Sequence, residues 1–144
     1  MKPWPVCALL PIRLVSEANA HAHWRLRQRR AKDQRQTVGR FVRAQLPRTL
    51  PDRLVVYITR IAPRGLDSDN LAGSCKHARD GIADALGIDD RDPRVEWRYR
   101  QAYPAKGAAD KYALAVLIRP RLPVDDEAAE LMQRADEALT GDAA

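Results

Sequence analysis

Spaced by its apolar positions, the chain divides into alternating strands and helices. Ala8 to Val15 (ALLPIRLV) reads as a first strand, and Pro11 within it favours a sheet edge or a bulge. Trp24, Ala31, Val38, Phe41, Val42 and Leu46 then recur at helical spacing. They predict a helix over about 20–46, with Ser16 or Asn19 as its cap. Leu54 to Ile61 (LVVYITRI) is almost continuously apolar and β-branched, which suits a buried central strand. From Asn70 to Leu86, the residues Leu71, Cys75, Ala78, Ile82, Ala85 and Leu86 share one arc of about 100°. Asp69, Lys76, Asp80 and Asp84 fall on the opposite side, so this stretch reads as one amphipathic helix capped by Asp69 or Asn70. Gly87 supplies a left-handed stop, and Ile88 can fold back onto the last turn. Val95, Trp97 and Tyr99 alternate with Glu96, Arg98 and Arg100 as in a half-buried strand. Residues 111–119 (KYALAVLIR) form another, and the two are expected to pair as an antiparallel hairpin across the turn at 104–110. Ala128, Leu131, Met132, Ala135 and Leu139 lie on one side of a closing helix over 125–139, whose simplest role is docking on the core.

The resulting order is β-α-β-α-β-β-α, which points to an α+β fold with a mixed β-sheet and packed helices. At 144 residues the chain is expected to form a single domain over 1–144, with 125–144 as an acidic C-terminal helix and tail. Cys7 and Cys75 show no metal-binding spacing and read as packed free thiols of a reducing compartment. No run approaches the roughly 20 apolar residues of a bilayer span. The N-terminal apolar run is broken by Pro5 and Pro11 and followed by Arg13, unlike a signal peptide. The expected location is therefore the cytoplasm.

Charge changes the picture. The net charge of +6 conceals a segregation, for residues 1–66 carry 14 Lys/Arg against 3 Asp/Glu. Residues 67–92 carry 7 acids against 3 bases, and residues 125–144 carry 7 acids against a single arginine. Blocks of this size imply surfaces that face different partners. Arg25 to Arg35 holds six cations in eleven residues. Because arginine dominates there and its fork matches phosphate oxygens, Arg25, Arg27, Arg29, Arg30, Lys32 and Arg35 are the candidate phosphate-binding residues toward a nucleic acid.

The acidic island begins where the central strand ends, with Asp67 and Asp69 at a strand-to-helix junction and Asp89 and Asp90 past the far end of the helix. A straight helix of that length would hold the two pairs about 25 Å apart, so their meeting requires the chain after Gly87 to fold back. Carboxylates without cysteine partners make a hard-oxygen site that prefers Mg²⁺ or Mn²⁺ to zinc. The sixth and twelfth positions from Asp67 are alanines, which excludes a calcium EF-hand. There is no Gly-rich phosphate loop and no serine nucleophile elbow. A magnesium site among arginines suits phosphodiester hydrolysis.

The residues DSDN at 67–70, Lys76, and DGIADALGIDD at 80–90 together resemble the RusA-type Holliday-junction resolvases. The likeness covers about residues 54–101 and is weaker before Leu54. It implies a Mg²⁺-dependent, homodimeric endonuclease of recombination, repair or phage DNA processing that makes paired cuts in four-way junctions. Carried over, Asp67, Asp69 and Asp90 bind the metal and Lys76 assists catalysis, with Asp80 and Asp89 as accessory acids. One departure stands out: in the best-known members the lysine comes about a turn sooner, a difference of about 4.5 Å along the axis. The alternative reading is a nucleic-acid-binding protein that keeps the fold without cleaving.

Overall fold

The computed structural model describes residues 4–16 and 23–141. Its elements are β1 (Val6–Leu10), α1 (Trp24–Gln45), β2 (Leu54–Ile61), α2 (Ser68–Ser74), α3 (Lys76–Leu86), β3 (Val95–Ala102), β4 (Ala113–Pro120) and α4 (Pro123–Gly141). They form an α+β fold with one four-stranded mixed sheet in the order β1-β4-β2-β3. The parallel pair β2–β3 is joined by the α2–α3 crossover, while β4 runs antiparallel to both β2 and β1.

The expected hairpin of residues 95–102 with 113–120 does not form. β2 lies between the two strands. The helical crossover returns the chain parallel to β2, and the ten residues between β3 and β4 are enough to pass to its other side. The first strand is also shifted. It spans Val6–Leu10 and ends before Pro11, where the Ile12 N–H turns back to the Leu10 carbonyl at 2.8 Å. The helix expected from residue 20 begins at Trp24, capped by the His23 side chain. Asn19, the other cap considered, lies outside the described residues.

One face of the sheet carries Val6, Ala8, Leu10, Leu54, Val56, Ile58, Leu114, Val116 and Ile118, all in the core. Val38 and Val42 of α1 and Leu71, Cys75, Ala78, Ile82 and Leu86 of α2 and α3 complete that core. Cys75 is fully buried, which pushes its thiol up to about 11. Cys7, expected to be packed, instead faces solvent from the other side of the sheet.

Helices α1 and α3 cross at a pair of glycines. A Cβ on Gly39 would lie 3.1 Å from the Gly81 carbonyl oxygen, and one on Gly81 would run into the backbone of Arg35. Beside this crossing, Arg35 donates to both carboxylate oxygens of Asp84, at 2.6 and 2.8 Å. Hydrogen bonding to Arg35 holds the Asp84 carboxyl below the usual range.

Among the described residues no helix packs on the second face of the sheet. On its β3 side the guanidiniums of Arg100, Arg98 and Arg119 gather round the Tyr57 ring, at 4.1, 5.3 and 5.5 Å from its centre. Arg119 also grips Asp125 with two bonds of 2.8 Å, fixing the start of α4. Beyond that point α4 does not dock: every residue from Glu127 to Thr140 is exposed. The expected packing of this helix against the core is thereby corrected, since α1 and α3 already fill the core face.

The bond to Arg119, with a second from the Leu122 N–H, holds the Asp125 carboxyl far below its ordinary value. A depressed folded-state pKa stabilises above the ordinary carboxylate range, and that stabilisation is lost as pH falls through the depressed value. The start of α4 should thus stay fastened at neutral pH and release only in strong acid. Asp125→Asn is expected to release it at neutral pH, read as new cleavage around residues 120–126 in limited proteolysis. Protection equal to that of the parent chain would sink this account.

Candidate functional site

The DSDN segment is held from three directions, through the backbone that leads into it and through the Asn70 side chain. Gln101, at the end of β3, accepts from the Leu66 N–H and donates to the Leu66 carbonyl, both at 2.7 Å. Arg60 is buried at the end of β2 and donates to the carbonyls of Leu14 and Arg64, at 3.2 and 2.7 Å. Ser16 donates to Asn70 Oδ1 at 2.8 Å, tying the chain after β1 to the first turn of α2. Each uses a polar group that a short loop would otherwise leave to water, so the segment's path is fixed before any side chain of Asp67 or Asp69 is considered.

Asp67, rather than Asp69 or Asn70, is the N-cap of α2. It accepts from the Asn70 backbone N–H and from Asn70 Nδ2, both at 2.9 Å. Those bonds hold its carboxyl below the ordinary value, the backbone one contributing most. Asp67 is therefore ionised throughout the neutral range. Asp69 sits in the first turn of α2, exposed, where the helix dipole favours its charge.

The expected single helix is two. It is interrupted at Cys75, which closes α2 and precedes Lys76, the first residue of α3. Gly73 is a poor helix former, and the Ser74 hydroxyl donates back to the Leu71 carbonyl at 2.7 Å, a local bond that competes with the regular ladder. Lys76 is exposed at the resulting joint, and Asp80, one turn on, is half-buried.

The chain after Gly87 does fold back. Gly87 adopts φ +69°, the left-handed stop, and the Ile88 N–H closes onto the Ala83 carbonyl at 3.1 Å. The Asp90 carbonyl then accepts from Arg79 Nη2 and, at 3.1 Å, from Trp97 Nε1. Arg79 also stacks on the Trp97 ring, 4.8 Å from its centre, and donates to the Tyr99 hydroxyl at 2.8 Å. Asp90 is thus drawn to the level of Arg79, about two turns back from the end of α3 and one turn short of Lys76.

The Asp90 carboxylate lies 3.6 Å from Arg79 Nε, which is buried and has no hydrogen-bond partner. Asp89 serves the turn, accepting from the Arg91 N–H at 2.8 Å. Among the described residues, no three or more histidine, cysteine, aspartate or glutamate side chains converge closely enough to enclose a metal ion. The donor set nonetheless fits a hard divalent cation in kind. Its groups are carboxylates, Asp67 is kept ionised, and Asp90 faces its cation at ion-pair rather than hydrogen-bond distance.

On α1, Arg25, Arg27, Arg29 and Lys32 are exposed and Arg30 is half-buried. Trp24, Arg25, Gln28, Arg29, Lys32 and Gln36 line a shallow concavity of about 680 Å³. Arg35 is committed to Asp84, though it borders a second hollow with Arg40 and Arg43. His23 caps this helix, and His21 lies outside the described residues. Sequence reasoning passed over Arg79, Gln101 and Arg60 and took Ser16 for a helix cap, whereas Ser16 bonds Asn70; all four set the geometry. Only Arg79 left a signal: it stands three residues after Lys76 on a helix, facing the aromatic strand.

The fold and this acidic segment define a small α+β protein with a carboxylate-bearing start to α2 and a basic helix, α1, packed on α3. No protein-family model matches the chain. Over 110 residues it is 36% identical to an uncharacterized protein of Xylella fastidiosa (strain Temecula1), covering 69% of this chain and 67% of that protein. The chain belongs to the family of that Xylella protein. Among the described residues no helix is long and apolar enough to cross a membrane.

Proposed function

We propose that this protein is a Mg²⁺-dependent, structure-specific endodeoxyribonuclease of the cytoplasm, acting on branched DNA such as four-way junctions. The observation that carries the reading is the fold-back that brings Asp90 alongside α3 while Asp67 and Asp69 are held at the start of α2. The combination of DSDN, Lys76 and the closing DD, which resembles the RusA-type resolvases, supports the substrate class.

Asp67, Asp69 and Asp90 would hold Mg²⁺, with Mn²⁺ as a substitute, and the bound ion supplies an acidified water and charge neutralisation at the phosphodiester. Asn70 keeps Asp67 ionised and aimed. Arg79 holds the Asp90 loop in place and lies 3.6 Å from its carboxylate. Lys76, exposed at the joint between α2 and α3, offers its ammonium to phosphate charge. Arg25, Arg27, Arg29 and Lys32 grip backbone phosphates, which position the duplex without reading sequence. A homodimer would present two such sites for paired cuts.

A second reading, binding without cleavage, is favoured by one observation: the acids do not converge into a ready-made metal cage. A single gel separates the two. Junction, fork and linear duplex are incubated with and without Mg²⁺ across a salt series. Nicked products from the branched substrates only, and only with Mg²⁺, are expected, over binding that weakens steeply with salt. Salt-sensitive binding with no product in Mg²⁺ or Mn²⁺ would establish the second reading instead.

A further inference from the structure

Among the described residues two apolar surfaces are left uncovered, and they match. The first is the stripe on α4. Val124, Ala128, Leu131, Met132, Ala135, Ala138 and Leu139 fall within an arc of about 120° at helical spacing, and Leu131, Met132 and Leu139 are 65%, 69% and 79% exposed. A helix so cleanly divided forms in order to bury that stripe. The second is the open half of the sheet. There Cys7 and Leu9 of β1, Thr59 of β2, and Ala115 and Leu117 of β4 line an apolar hollow of about 390 Å³, with Leu9 70% exposed.

We infer that α4 of one copy lies across the open sheet face of a second copy, and that the exchange is reciprocal. Within one chain the contact is not made, because only two residues separate β4 from α4. Arg119 and Arg121 clamp the first turn through Asp125 and Asp126. Pairing of two α4 helices is opposed by charge: each carries six acids against Arg134 alone. The sheet face offers the opposite sign, for Arg100 is exposed at the border of the hollow, stacked on Tyr57. Glu127 and Asp136, which flank the stripe, suit that rim. At 19 residues α4 is about 28 Å long, enough to cross four strands spaced about 4.8 Å apart. A reciprocal dock makes the same contact twice about a two-fold axis and closes the assembly. The contact stands on these two faces alone and does not depend on the nuclease reading.

Cys7 lies on the receiving face and serves as a built-in reporter. In the full chain, its alkylation should slow by about tenfold as protein concentration rises and dimer forms. In Leu131→Glu the rate should stay constant. Ala128→Cys and Ala135→Cys, each treated with a short bis-maleimide, should give a covalent dimer that disappears when Cys7→Ser is added. Cross-linking that survives Cys7→Ser would mean that the α4 helices pair with each other. A cross-link within one chain would mean that α4 folds onto its own sheet. A monomeric mass by light scattering at all concentrations would mean that no second copy binds. Each of these three results overturns the inference. Leu9→Glu and Leu131→Glu replace exposed residues, so both should fold, and both should abolish the dimer; loss in the helix variant alone would remove the sheet from the interface.

Discussion

Asp69→Asn is expected to reduce Mg²⁺-dependent cleavage of a four-way junction by at least about 100-fold, while junction affinity stays within a few-fold of the parent. The side chain is exposed in the first turn of α2, so an isosteric amide leaves no cavity. Lost charge at the helix N-terminus costs about 0.3–1 kcal/mol of stability, too little to unfold the domain. The effect on rate comes from the carboxylate itself, since an amide neither neutralises a divalent cation nor sharpens the acidity of its water. Asp92→Asn is the matched control. That carboxylate is spent on a local pair with Arg94, whose hydrogen bonding draws its pKa down to about 2, and cleavage should survive its loss. An Asp69→Asn protein that cuts at the parent rate would remove Asp69 from the metal site.

Gly81→Ala should produce the largest loss of stability among conservative changes. The added methyl would meet the Arg35 carbonyl group, with its carbon at 3.1 Å, and backbone has no rotamer with which to move aside. Helices α1 and α3 must then separate, opening the core at Val38, Ala78 and Ile82. Overpacking of this kind costs about 3 kcal/mol or slightly more, roughly 10 °C in Tm for a chain of this length. Gly73→Ala gives the contrast: nothing lies within 4 Å of its Cβ, and it sits inside α2. There alanine should stabilise by up to about 1 kcal/mol. Equal melting temperatures for the two variants would show that the glycine crossing is loose.

What could be read from the sequence followed how local its cause was. The strand Leu54–Ile61 and the buried stripe of Leu71, Cys75, Ala78, Ile82 and Leu86 are written in neighbouring residues, and both stand as expected. The left-handed stop at Gly87 and the fold-back of Ile88 are local too. The partner of β3 is not. Val95, Trp97 and Tyr99 suit a strand in either sheet position, and only the direction of the helical crossover places it parallel to β2. For the same reason the stripe on α4 marked a helix with something to bury, yet could not say that the core face was already filled by α1 and α3. At the candidate site, the acids were visible as a charge island. Their support was hidden, because Gln101 and Arg60 act on backbone groups and Ser16 on the Asn70 side chain, 35 to 54 residues away, and none carries a spacing signature.

The Gln101 clasp sets which changes the neighbouring loop tolerates. Its amide offers Leu66 one donor and one acceptor, the same pair a peptide unit on an adjacent strand would offer. The chain entering the acidic segment is therefore gripped as if by one more rung of the sheet, and the grip is blind to side chains. Residues 63–65, which are exposed, can then vary in identity without disturbing Asp67, whereas one inserted residue would present a different peptide to the clasp and carry both aspartates out of place. Length, rather than composition, is what selection should hold constant there.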